Sequence, residues 1–174
     1  MGAMFMPDYF AYPLEILIFL LLFWLLSFFS ALLHELGHAV GYKIATGDSH
    51  WRIRIGTGKR LIHTKRFTVN LFVIDGFFCP LDEKMDTPAK RIAMLAGGPL
   101  ASLILLAALF ALWFSGIEIQ TSVILVEPVV SWAVFINTFI LFSSMIPTRY
   151  LFGEIKGLET DGLQILNILK QRKK

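Results

Sequence analysis

The sequence predicts an α-helical membrane protein. It has a core of three transmembrane helices, a small cytoplasmic-side β-hairpin or sheet between helices 1 and 2, and a short C-terminal helix. Three observations carry this expectation. Of the 174 residues 56% are hydrophobic, with a mean hydropathy of +0.66, which exceeds what a soluble globule usually carries. Three apolar stretches approach or exceed bilayer length, at about 14–45, 88–114 and 128–146. The basic residues are sorted rather than scattered: of sixteen Lys and Arg, nine lie within residues 46–91, six follow Pro147, and the last is Lys43.

The length leaves room for one domain, 1–174. Met1 to Tyr12 contains Asp8 and no Lys or Arg; without a basic n-region, a cleaved signal peptide is not expected and the first segment is retained. Pro13 suits a first helical turn, and helix 1 then runs over about 14–45. That exceeds the roughly 20 residues a bilayer needs, so the helix tilts or protrudes. Within residues 51–80, Trp51 to Ile55 and Phe67 to Val73 alternate with period two, which predicts antiparallel strands. Gly56-Thr57-Gly58 with Lys59 and Arg60 is expected to form the turn between them, and Asp75-Gly76 a second turn. His50 and His63 have no ligand spacing and are expected at the surface. The single Cys79 excludes an internal disulfide.

Asp86-Thr87-Pro88 supplies an N-cap and a first-turn proline for helix 2, about 88–114. Gly97-Gly98-Pro99 inside it predicts a kink and a close helix neighbour. Ser115 to Glu127 forms a short loop, helix 3 covers about 128–146 with Asn137 near its middle, and a C-terminal helix covers about 160–170. Three spans put both basic regions on one face, which the positive-inside rule makes cytoplasmic. The N-terminus then lies outside and the C-terminus inside, as in a multi-pass protein of the bacterial inner (plasma) membrane. A net charge of +3 says little by itself, and no nucleic-acid partner is expected.

The chemistry lies in His34-Glu35-Leu36-Gly37-His38. Four residues apart on a helix, His34 and His38 share a face and can grip one metal ion while Glu35 reaches a water. A Glu and two His in a membrane-length segment cost on the order of 2–3 kcal/mol for each charged group, and such residues mark functional sites. A catalytic zinc needs a third protein ligand and an open position. Asp161, in Glu159-Thr160-Asp161-Gly162, is the choice, with Glu154 and Glu159 as competitors.

In these motifs the chain resembles the site-2 proteases, intramembrane zinc metalloproteases of peptidase family M50. Phe29-Ser30-Ala31-Leu32-Leu33-His34-Glu35-Leu36-Gly37-His38-Ala39 is similar to the family's first motif, and Ala96-Gly97-Gly98-Pro99-Leu100-Ala101-Ser102 to its Gly-Pro-x-x-Asn element, with Ser102 in place of Asn. Of the last motif, Asn-x-x-Pro then Leu-Asp-Gly, Pro147 and Asp161-Gly162 are present, Ser144 stands for Asn and Thr160 for Leu. The resemblance implies one zinc per chain on His34, His38 and Asp161, with Glu35 as general base. Asn137, about two turns before Ser144 on the same face, and Ser144 itself are the candidates to support the substrate. The implied activity is zinc-dependent endopeptidase cleavage in or near transmembrane segments. The expected partners are a membrane protein substrate with a transmembrane helix and the lipid bilayer. The altered Asn elements motivate an alternative, a catalytically inactive zinc-binding membrane scaffold or regulatory partner.

Overall fold

The computed structural model describes residues 13–82, 84–114, 126–151 and 153–171. The expected outer N-terminal segment, the body of the 115–127 loop and the basic residues at 172–174 lie outside these. The elements are α1 (Pro13–Thr46), β1 (Trp51–His63), β2 (Phe67–Pro80), α2 (Pro88–Phe114), α3 (Val126–Met145) and α4 (Asp161–Gln171).

Two helices, α1 and α2, are long and apolar enough to cross a membrane; the apolar part of α3, Val129–Met145, is shorter. Helix directions follow from which residues meet. Gly37 lies against Gly97 and Gly41 against Ala93, so α1 and α2 run antiparallel. The Trp132 indole donates to Ser27 Oγ at 3.3 Å and Asn137 Nδ2 to Ser30 Oγ at 2.9 Å, so α3 runs alongside α1 in the same sense. A Cβ on Gly37 or Gly97 would collide with the other's carbonyl oxygen. The glycines therefore let the two backbones touch, so that van der Waals contact runs along the α1–α2 seam. Pro99 stays inside α2, where it removes one backbone donor.

Gly47, at φ +71°, ends α1 and donates its N–H to the Lys43 carbonyl at 2.8 Å, the usual glycine stop. Tyr42 then donates its hydroxyl to Asp48 at 2.7 Å, tying the helix end to the approach to β1. Alternation in β1 turns Ile53 and Ile55 onto Ala39, Tyr42 and Phe78, a small core between α1 and the sheet. Fully burying an Ile or Phe side chain there is worth roughly 1.5–3 kcal/mol.

The sheet departs from the expected turns. Gly56 and Gly58, at φ +78° and +82°, are irregularities inside β1, and the chain reverses at residues 64–66, where Thr64 exchanges hydrogen bonds with Phe67. Asn70 Nδ2 donates to the Gly56 carbonyl at 2.8 Å, which holds the bend within the sheet. Asp75-Gly76 is likewise strand rather than turn, because Ile55 pairs with Gly76. Ile53, Arg54 and Ile55 are paired on both flanks, antiparallel with Phe78, Phe77 and Gly76, and in rising order with Phe67, Thr68 and Val69. The strand segment 76–80 is thus a sheet margin beside α1. The Trp24 indole donates to the Leu71 carbonyl at 2.6 Å, so the middle of β2 reaches α1 on the N-terminal side of the histidines while Phe78 reaches it beyond His38.

Candidate metal centre and catalytic carboxylate

The helical spacing puts His34 and His38 one turn apart, and each imidazole is oriented from α2. His38 Nδ1 lies 2.9 Å from the Met94 carbonyl oxygen, which can only accept, so Nδ1 carries the proton and Nε2 presents its lone pair. His34 Nδ1 lies 2.9 Å from Ser102 Oγ, leaving its Nε2 free in the same way. A Cβ on Gly98 would overlap both Nε2 atoms. Gly98 therefore lies directly against both imidazoles, while Gly97 makes the helix contact with Gly37.

The last member comes from α4. Thr160 caps that helix, accepting from the Leu163 N–H at 3.3 Å and donating to the Ile146 carbonyl at 2.8 Å. Asp161 follows in the first turn. A Cβ on Gly162 would strike the Met145 carbonyl, so only glycine lets α4 seat this deeply on the end of α3. Asp161 Oδ2 lies 3.5 Å from His34 Nε2 and 3.4 Å from His38 Nε2, and the two Nε2 atoms are 3.3 Å apart. Tetrahedral zinc with ligands at about 2.0–2.1 Å requires ligand atoms about 3.3–3.4 Å from one another. The three atoms fit a zinc ion with one position left open. Burial works against the Asp161 carboxylate's charge, but the two imidazoles beside it outweigh that and hold it below its ordinary value.

Glu154 and Glu159 are engaged elsewhere. Glu154 accepts from Arg54 at 2.7 Å and Thr57 at 3.1 Å, and Glu159 from Arg149 at 3.0 Å and Asn167 at 3.1 Å. Glu35, 6% exposed, makes no hydrogen bond or ion pair among the described residues, and lies against the β2 backbone at Gly76, where a Cβ would overlap its carboxylate. The structure thus brings together His34, His38, Asp161 and Glu35, all four lining one cavity of about 800 Å³.

Asn137 and Ser144 are both buried, but neither lines that cavity. Asn137 spends its donors on Ser30 Oγ and the Ala133 carbonyl, and its Oδ1 has no partner among the described residues. Ser144 donates to the Leu141 carbonyl at 3.1 Å. His50 is exposed beside Asp82, and His63 bonds Thr68, both outside the site.

Sequence reasoning missed Ser102 as the partner of His34, and it missed Tyr150, Arg91 and Lys170 in the cavity wall. Burial, with Asp161 and Glu35 nearby, pushes the Tyr150 phenol well above its ordinary value, so it keeps its proton. The motif position of Ser102, where an Asn is usual, was the only signal available for any of them.

Two imidazoles and a carboxylate spaced to hold a metal ion, with a second carboxylate unpaired among the described residues beside them, make up a candidate metal centre. The family model for Peptidase family M50 matches residues 21–169, most of the chain, which therefore belongs to this family, the site-2 proteases. These are membrane-embedded zinc metalloproteases. A search of the curated proteins finds no match.

Proposed function

We propose that this protein is a zinc-dependent endopeptidase that cleaves membrane proteins within or near a transmembrane helix. The observation that carries the reading is the tetrahedral spacing of His34, His38 and Asp161 with an uncommitted Glu35 beside them. One zinc per chain would be held by those three residues. When bound, it supplies Lewis acidity toward a peptide carbonyl and acidifies water at the site. Glu35 takes a proton from the attacking water and returns it to the leaving amine as the C–N bond breaks. Ser102 and the Met94 carbonyl hold the imidazoles in register throughout.

A substrate helix keeps its backbone carbonyls in i to i−4 hydrogen bonds, so the cleaved segment must unwind locally to present one to the site. The margin of β2 at residues 76–80 borders Glu35, and backbone pairing there would offset the hydrogen bonds lost on unwinding.

The setting is a bilayer. Leu20, Leu103, Ile104, Phe135, Phe139 and Phe142 all stand at more than half exposure, which suits helices that face lipid rather than water. The up-down-up order of α1, α2 and α3 suits three spans. With both basic regions on one side, the C-terminus is cytoplasmic, in a plasma membrane of the bacterial inner-membrane kind.

Glu35→Gln tests the reading. It keeps size and leaves the zinc residues alone, so the variant should retain metal and substrate binding while turnover of a single-span substrate falls on the order of 10²- to 10⁴-fold. Full activity in Glu35→Gln together with loss in His34→Ala would replace hydrolysis with the zinc-stabilised scaffold.

A further inference from the structure

The cavity has two chemically distinct ends. Its deep end holds Glu35, Asp161 and the histidines; elsewhere its wall includes Arg91 from the start of α2 and Lys170 from the end of α4. Both cations are exposed, and neither makes an ion pair among the described residues. The neighbouring Lys90 and Arg149 are paired, with Asp86 at 2.7 Å and Glu159 at 3.0 Å. Glu159 also lines the cavity, but its carboxylate is satisfied by Arg149 and Asn167. Gln164 and Asn167, between Glu159 and Lys170 on the same wall, are neutral. The uncompensated charge of this stretch is therefore positive.

We propose that Arg91 and Lys170 act as a charge filter that selects substrates by the residues flanking the cleaved segment. Chains bearing Asp or Glu there are admitted, and chains bearing Lys or Arg are repelled. The inference rests on the proteolytic reading above and adds to it a substrate class. Its physical force comes from the usual composition of membrane proteins. Transmembrane helices commonly carry Lys and Arg at their cytoplasmic ends, so a cationic wall turns most of them away by like-charge repulsion. A substrate with an acidic flank is the uncommon case, and two cations distinguish it without reading any particular side chain in the apolar part. Each exposed pair contributes about 2- to 5-fold in binding, so the two together give a preference of roughly 4- to 25-fold. Added salt weakens it.

The test uses two detergent-solubilised single-span peptides that are identical except for an Asp-Asp-Glu or a Lys-Lys-Arg flank beyond the apolar stretch. The full-length wild-type protein is assayed for cleavage, and Glu35→Gln for binding by fluorescence anisotropy. The acidic peptide should show the lower KM and the tighter binding. Arg91→Glu with Lys170→Glu should reverse the order while zinc content stays at the wild-type level. If that pair fails to fold, Arg91→Gln with Lys170→Gln should abolish the preference. Equal handling of the two peptides by the wild type, or a preference that survives neutralisation, overturns the filter. Charge-selective binding by Glu35→Gln without cleavage of either peptide by the wild type would overturn the proteolytic reading instead, leaving the charge selection standing.

Discussion

Ser102 Oγ on α2 stands 2.9 Å from His34 Nδ1 on α1, and Ser102 is only 1% exposed. A metal-binding imidazole needs its second nitrogen held, and loss of that partner typically costs 10- to 100-fold in metal affinity. Ser102→Ala should therefore release zinc at a chelator concentration about 10- to 100-fold lower than the wild type needs. Metal titration followed by mass spectrometry or a zinc-sensitive dye reads this directly. Unchanged affinity would make the serine a packing residue alone.

Asp161 and its rivals differ in what they touch. Asp161→Ala should strip zinc from the purified protein, whereas Glu154→Ala and Glu159→Ala should retain about one ion per chain, because their carboxylates serve Arg54 and Arg149. Equal retention across the three variants, by elemental analysis, would remove Asp161 from the site.

Orientation is open to labelling. Lys65 lies exposed on the turn between β1 and β2. A cysteine placed there should resist an impermeant thiol reagent added to intact cells and react once the membrane is opened. Reaction from outside would invert the topology.

Asp48 supplies a pH-dependent anchor outside the catalytic cavity. The Tyr42 hydroxyl, backbone N–H groups of Ser49 and His50, and Lys84 hold its carboxyl far below its ordinary value of 3.8 despite burial. A depressed folded-state value stabilises the fold fully above the unfolded value, and the contribution is lost as pH falls toward the folded one. Asp48→Asn should therefore lower the melting temperature at pH 7, with the gap to wild type narrowing below about pH 4. A gap unchanged at about pH 3 would show that the charge contributes nothing.

Legibility in the sequence tracked the range of the interactions involved. The i, i+4 histidines and the close approach at Gly97-Gly98 follow from helical geometry, so local spacing sufficed. The strand irregularities did not follow: Gly56 and Gly58 look like a turn until Asn70, fourteen residues later, is seen holding the Gly56 carbonyl. Asp75-Gly76 likewise looks like a turn until Ile55 is seen to pair with Gly76. Separating Asp161 from Glu154 and Glu159 needed the partners of all three carboxylates, and Arg54 lies one hundred positions from Glu154. Arg91, Tyr150 and Lys170 carried no local signature because their shared cavity is assembled only when α2, the 149–159 segment and α4 meet.

Asp161 reaches the histidines only because Gly162 lets the first turn of α4 settle on the Met145 carbonyl. On the ribosome, His34, Glu35 and His38 emerge long before that turn exists. A half-made chain holds the two imidazoles and Glu35 but lacks Asp161, the third member of the candidate metal centre. The candidate metal centre is therefore completed only when α4 docks on the end of α3.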